Sequence, residues 1–310
     1  MMVFKEDGKI SRWLKKPWAF PLVLAGVLVL AYGFQISQLG FYWDDWEDIF
    51  LYRLNSPVEF LKYFIYDRPT TIWVYLVFFP LFGDDPARWQ FFNLLLRYLS
   101  LLGLWWTFRK TWPSYRYETG WLMLLLAVYP GFLQQTISVT YSRHFFSLTL
   151  FSLSLIFTMQ SVQHQPKYVL FTLLAAVFSF AQMMTIEYFV GLEILRPLLL
   201  WVVFRDSIPG IRKRIIRVLQ WWIPYLIPLA GFIVWRFILF TPVPGADDPN
   251  NVIGVSQFLA DPIGLTFHLI QNVLQDCLYQ LVFIWSETIN ASDVDLASKA
   301  AWFGWVIGGL

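Results

Sequence analysis

Charge is scarce in this sequence. Only 14% of its 310 residues are Asp, Glu, Lys or Arg, against roughly 25% in an ordinary soluble domain. Cysteine occurs once, at Cys277, so no disulfide can close within the chain. Histidine occurs only at His144, His164 and His268, too few and too scattered for a metal site built on imidazoles. There is no P-loop, no Gly-x-Ser-x-Gly and no dinucleotide-binding glycine fingerprint. ATP-driven transport and serine-hydrolase chemistry therefore lose their usual sequence support. The shortage of charge excludes a cytosolic enzyme and a disordered chain, and the lone cysteine excludes a disulfide-stapled secreted domain.

What the sequence has instead is apolar surface. Hydrophobic residues make up 57%, aromatics 20%, and the mean hydropathy is +0.53. A soluble globule of this size cannot hide so much of it. The apolar stretches are continuous rather than alternating, which points to an all-α polytopic membrane protein and away from a strand barrel.

A spanning helix needs about 20 mostly apolar residues. Runs that satisfy or approach this lie at 18–39, 89–108, 119–140, 143–160, 168–185, 188–204 and 219–240. The first follows Lys5, Lys9, Arg12, Lys15 and Lys16 and has no signal-peptide cleavage pattern, so it reads as an anchor with a cytoplasmic N-terminus. The connections carry the sidedness. Arg109, Lys110 and Arg116, then Lys167, then Arg205, Arg212, Lys213, Arg214 and Arg217 all fall on one side if the seven runs alternate. That side then holds 14 of the 23 basic residues, and the other holds 16 of the 21 acids. This is the positive-inside distribution.

The apolar stretch 70–83 is too short to span. Counting it as a span would invert every later basic connection. It reads as an interfacial or re-entrant helix inside a large extracytoplasmic loop, 40–88. Residues 241–263 form a second outer loop. In 264–285, His268, Gln271, Asn272, Gln275 and Asp276 recur on one wet helical face. The expected organisation is a cytoplasmic tail over 1–17 and a seven-helix module over 18–240. A second outer loop with an amphipathic helix follows over 241–299, then the cut-short start of a further transmembrane helix over 300–310. The expected location is a plasma or inner membrane.

The first outer loop opens with Trp43-Asp44-Asp45-Trp46-Glu47-Asp48, four acids in five residues directly after a membrane helix. Like charges this close repel, and apolar surroundings penalise their ionised forms. Such a cluster serves chemistry, holds a cation, or is a solvated turn. Further on, Arg68 can fork onto a phosphate or pair with Asp67 and hold the loop. Gln134, Gln135, Arg143, His144, Gln182 and Glu187 lie in the outer halves of the runs, with Arg97, Glu193 and Arg196 among the apolar residues. Ionisable groups at that depth usually face a bundle interior or a wet cavity. The expectation is a polar cavity opening outward beneath residues 40–70. The competing reading is snorkelling and interhelical pairing, for example of Glu193 with Arg196 or Arg97.

The layout resembles the membrane-embedded GT-C superfamily of glycosyltransferases, the group of the protein O-mannosyltransferases and the aminoarabinose transferases acting on lipid A. The likeness covers about residues 12–260. It rests on the acid pair Asp44-Asp45 following the first helix and on the interfacial helix of the first loop. The sequence reads Asp-Asp where the mannosyltransferases carry Asp-Glu. The resemblance implies a sugar donor on a polyprenyl phosphate, an acceptor hydroxyl, membrane lipids as surroundings and inversion at the anomeric carbon. It also implies that Asp44 or Asp45 supplies the base, with Asp44 preferred. No cofactor is required, although a divalent cation between the two acids is compatible, and nucleic acid has no place in this scheme. By location alone, Asp67, Arg68, Arg143, His144 and Glu187 are candidate substrate contacts. A lipid-linked glycan transporter or flippase, or a non-catalytic scaffold, are the alternatives.

Overall fold

The computed structural model describes Lys16 and residues 18–239 and 255–287. The expectations for the tail before Lys16, for 241–254 and for 300–310 lie outside the described residues. Among the described residues the chain is helical and contains no strand. It divides into two units. One comprises Met1–Val128 and Gln134–Thr241, the other Tyr129–Leu133 and Pro242–Leu310.

In the first unit, α1 spans Ala19–Tyr32 and tightens into 3₁₀ turns over Gly33–Gln38. Three short helices follow: α2 (Asp44–Leu54), α3 (Pro57–Asp67) and α4 (Thr71–Phe82). The long helices α5 (Pro86–Thr111) and α7 (Ser138–Gln163) flank the shorter α6 (Arg116–Ala127). Then come α8 (Tyr168–Thr185), α9 (Leu195–Arg205) and α10 (Ile211–Val234), the last running into a π-helical turn over Trp235–Leu239.

The helix starts follow from local chemistry. Ser56 and Glu59 form a reciprocal capping box on α3, with Pro57 at the first position. Asp85 takes the N–H groups of Ala87 and Arg88 ahead of Pro86, opening α5. Three acids sit in the first turn of α2 and Arg53 in its last, each complementing the helix dipole.

Five of the seven expected spans are helices long and apolar enough to cross a membrane: Ala19–Gln38, Pro86–Thr111, Ser138–Gln163, Gln165–Thr185 and Ile211–Val234. The other two are interrupted. The run 119–140 leaves the α-helix after Ala127, passes the Pro130-Gly131 break and turns tightly over Pro130–Thr136. The run 188–204 begins as 3₁₀ turns over Glu187–Ile194, and α9 starts afresh at Leu195. Pro197 accounts for the second break. Its missing N–H and its ring are best tolerated in a first turn, and Pro197 is the third residue of α9. The segment 70–83 is the twelve-residue α4 with Pro80 inside it. At 1.5 Å per residue it is about 18 Å long, short of the roughly 30 Å hydrocarbon slab.

Interrupted helices leave backbone carbonyls that hydrocarbon cannot satisfy, so they persist only against protein or a wet cavity. Here α5 satisfies them. Gln90 donates to the Thr136 carbonyl at 2.6 Å and Asn93 to the Gln135 carbonyl at 3.1 Å. Arg97 donates to the Ala127 carbonyl at 2.7 Å, to the Tyr32 hydroxyl at 2.9 Å and to Gln135 Oε1 at 3.3 Å. These three residues share one face of α5. At the other break, Arg196 forks onto Glu193, whose Oε1 also accepts the Ser179 hydroxyl. Arg196 further reaches Ser154 and Thr158 and lies 4.3 Å from the Tyr225 ring centre. Arg97, Glu193 and Arg196 are therefore interhelical ties.

In the second unit, α11 (Val255–Ala260), α12 (Pro262–Leu278), a π turn over Tyr279–Phe283 and α13 (Ile284–Glu287) follow one another. The Tyr129 hydroxyl bonds to the backbone and side chain of Gln280. The continuous helix α12 carries His268, Gln271, Asn272, Gln275 and Asp276 on one face, and none of its residues is buried.

Candidate functional site

The segment between α1 and α5 is a helical layer with an aromatic interior. Tyr52 of α2 stacks on Phe79 of α4 with ring centres 4.3 Å apart, and Phe60 and Phe64 of α3 pack edge-on beside them. Tyr75 and Phe79 in turn meet Trp89 of α5. An ion pair between Arg53 and Asp84 adds a polar tie. This packing fixes α2, and α2 presents the acids.

The four acids divide by helical phase. Asp45, Asp48 and Ile49 are buried, whereas Asp44 and Glu47 are exposed. Asp45 Oδ1 accepts the backbone N–H groups of Val139 and Thr140, both at 2.9 Å. These belong to the first turn of α7, whose own N-cap position, Ile137, has no capping side chain. Asp45 thus supplies the missing cap from another helix. Its second oxygen, Oδ2, is buried without a hydrogen-bond partner. Burial outweighs the two backbone bonds, and the Asp45 pKa is pushed up to about 6. Asp48 Oδ2 accepts the Tyr75 hydroxyl at 2.7 Å and the Thr140 hydroxyl at 3.1 Å. Burial pushes its carboxyl up too, against the opposing charge of Arg143 and these hydrogen bonds.

Asp44 is different. It is exposed and makes no hydrogen bond or ion pair among the described residues. It follows Trp43, which is 80% exposed and has φ 47° and ψ −121°. Among the described residues Trp43 is the one non-glycine with positive φ. Such backbone strain costs on the order of 1–3 kcal/mol and persists where the surroundings over-determine it. The charge of Asp44 acts on the Tyr141 hydroxyl. Tyr141 stacks on His144, ring centres 4.3 Å apart, and His144 also meets Tyr188 at 5.6 Å. His144 is within electrostatic reach of Arg143, Arg68 and Glu187.

Arg68 forks onto Glu187, with Nε to Oε2 at 3.3 Å and Nη2 to Oε1 at 3.2 Å. Arg236 stands 3.8 Å from the same carboxylate. Burial alone would push the Glu187 carboxyl up, but the bonds and charge of Arg68, with Arg236 behind, hold it below the usual range. Nearby, the Thr70 N–H donates to the Met184 carbonyl and the Thr71 hydroxyl to the Thr185 carbonyl. The start of α4 is thereby joined to the end of α8.

Of the candidate residues, the structure brings Asp44, Arg68, Arg143, His144 and Glu187 into one neighbourhood at the start of α7. Asp67 closes α3, and its side chain lies outside the described residues. Among the described residues no three His, Cys, Asp or Glu side chains form a metal-binding group. Asp44 is exposed whereas the Asp45 carboxylate is buried against α7, so the two acids are presented to different surroundings. Sequence reasoning counted Asp48 in the acidic cluster without giving it a role, and missed Thr140, Tyr75 and Tyr141. A signal for Asp48 was present, since it stands three residues after Asp45 and so shares its helical face.

No family model, curated protein or solved structure matches this chain. The geometry therefore carries the functional argument by itself.

Proposed function

We propose that the protein transfers a sugar from a polyprenyl-phosphate donor to an acceptor hydroxyl at the extracytoplasmic membrane face, with Asp44 as general base. The observation that carries this reading is the division of the acid pair. Asp45 is spent on pinning α2 to the first turn of α7. Asp44, one residue before it, is left accessible on a strained turn within electrostatic reach of Tyr141, whose ring stacks on His144.

In the proposed step, Asp44 takes the proton of the acceptor hydroxyl as its oxygen attacks the anomeric carbon. The new carbon–oxygen bond forms opposite the breaking bond to phosphate. The electron pair of that bond leaves with the lipid phosphate, and one direct displacement inverts the anomeric centre. Arg143 and Arg68 are the cations available to stabilise the growing phosphate charge. Arg68 can turn its fork from Glu187 to a phosphate, since a carboxylate and a phosphate each offer two oxygens that a guanidinium can meet with parallel N–H bonds.

The test is donor consumption by the full chain in proteoliposomes, with polyprenyl-phosphate mannose and polyprenyl-phosphate aminoarabinose supplied in turn. Asp44→Asn is expected to lower turnover by about 10²–10⁴-fold, with donor binding retained because the base acts on the acceptor. Because Asp44 is exposed, the variant should melt within about 0.5 kcal/mol of wild type. Wild-type turnover in Asp44→Asn overturns the assignment, and transbilayer movement of intact donor without consumption favours the transporter reading.

A further inference from the structure

At the end of α5 opposite the acidic helix, roughly 30 Å along its axis, α1, α5 and α6 enclose a cavity of 220 Å³. Its lining holds three cationic residues, Lys16, Arg109 and Arg116, and no acidic one. Among the described residues no carboxylate lies within ion-pair distance of any of the three. The closest acid in sequence, Glu118, lines a separate pocket with Arg205. Among the described residues, three cations are thus gathered without a carboxylate paired to any of them.

The lining is layered. Phe20 and Val23 stand four and seven residues beyond Lys16, Trp105 four before Arg109, and Gly120 and Leu124 four and eight beyond Arg116. On α5 and α6 the spacing of four keeps these residues on one face, and Phe20 and Val23 lie in the first turns of α1 just after Lys16. They lie one to two turns, about 6–12 Å, deeper toward the middle of the helical unit. Phe20 stacks on Trp105 with ring centres 4.6 Å apart. Gly120 packs against this pair, its Cα facing the Phe20 ring. Arg109 lies over Trp105 at 5.0 Å and Arg116 over Tyr117 at 4.7 Å, holding the guanidiniums at the rim. A cationic rim above an aromatic and aliphatic floor, between the candidate spans α1 and α5 and the shorter α6, matches an amphiphile with an anionic head.

We propose that this cavity binds an anionic phospholipid, with its headgroup phosphate among Lys16, Arg109 and Arg116 and its glycerol and upper acyl region against Phe20, Trp105, Trp121 and Leu124. The site does not rest on the sugar-transfer reading and stands at the other end of the helical unit.

The test is native mass spectrometry of the full chain in detergent, titrated with dioleoyl phosphatidylglycerol, dioleoyl phosphatidylcholine or inorganic phosphate. Wild type should retain phosphatidylglycerol preferentially. The variant Arg109→Gln, Arg116→Gln should bind it roughly 30-fold more weakly, from the loss of two interfacial cations. Arg205→Gln, outside the cavity, should bind as wild type. If the double variant does not fold, Arg116→Gln alone should weaken binding roughly 5-fold. Equal retention of the two phospholipids overturns the proposal. So does unchanged phosphatidylglycerol affinity in a folded Arg109 or Arg116 variant, an equal loss in Arg205→Gln, or saturation by inorganic phosphate with no preference for the lipid.

Discussion

The carboxylate of Asp45 accepts the backbone N–H of Val139 across 94 residues of chain. The bond fastens the acidic helix to a membrane helix that has no cap of its own. Its energetic sign depends on protonation. The folded pKa, about 6, lies above the ordinary 3.8, so the folded state holds a proton that the unfolded state releases between those values. On this group's account the protein gains stability as pH falls from 7 through 6 toward 4. The ionised form costs up to about 3 kcal/mol at neutral pH. Asp45→Asn keeps an oxygen for the cap and removes that cost. It should melt at or above wild type at pH 7.5 and show a flatter dependence between pH 7 and 5. Asp45→Ala loses the cap and should fall about 1–2 kcal/mol below Asp45→Asn. Circular dichroism melts in detergent across pH check both, and a steeper pH dependence in Asp45→Asn would refute the account.

Arg97 should be intolerant of change. It serves a carbonyl, a hydroxyl and an amide oxygen on two other segments. Arg97→Leu strands these acceptors and should destabilise by at least about 3 kcal/mol. Arg97→Lys should not rescue, because an ammonium lacks the planar fork. Fluorescence-detected size-exclusion chromatography after graded heating reads both variants, and a wild-type profile for Arg97→Lys would contradict the geometry.

The Arg68–Glu187 pair ties the start of α4 to the segment after α8. Both partners are partly exposed, so a double-mutant cycle with Arg68→Gln and Glu187→Gln should give a coupling of only about 1 kcal/mol. The Glu187 carboxyl is held below its ordinary 4.5. Its contribution is therefore complete above that value and is lost as pH falls through the folded pKa. A coupling unchanged between pH 7 and pH 3 would disprove this.

Sidedness can be read directly. Val58 is exposed on α3 and Ile211 is exposed at the start of α10. In a Cys277→Ser background, Val58→Cys should react with an impermeant maleimide added outside intact cells, and Ile211→Cys only after permeabilisation. Ser56 is a poor site for the label because it caps α3. The reverse pattern would turn the whole topology over.

The all-helical membrane character was legible because it depends on continuous apolar runs, and so was the shortness of 70–83. The break at Pro130-Gly131 was visible in the sequence but its run was still counted as a span, and the interruption near Pro197 was not read. An apolar run reports what lipid would accept, and breaks are permitted wherever another helix supplies hydrogen bonds, as Gln90, Asn93 and Arg97 do. At the site, letters alone located the acids but not their division. Asp44 and Asp45 are equivalent as residues. They differ because successive helical positions point about 100° apart, and because α7 lacks a cap that only the folded chain brings within reach of Asp45. The clustering of Arg68 with Glu187 is likewise a product of tertiary contact, 119 residues apart in sequence.

The ladder of Gln90, Asn93 and Arg97 also sets how the first unit can move. Its rungs key residues 127–136 to α5 in a single register, since sliding by one turn would strand three carbonyls together. Immediately beyond, Asp45 clamps the first turn of α7. Within the first unit, the end of α6 and the start of α7 are thus each pinned. Any rearrangement of that unit that leaves these bonds intact must come from other elements, such as the 3₁₀ turns over Glu187–Ile194.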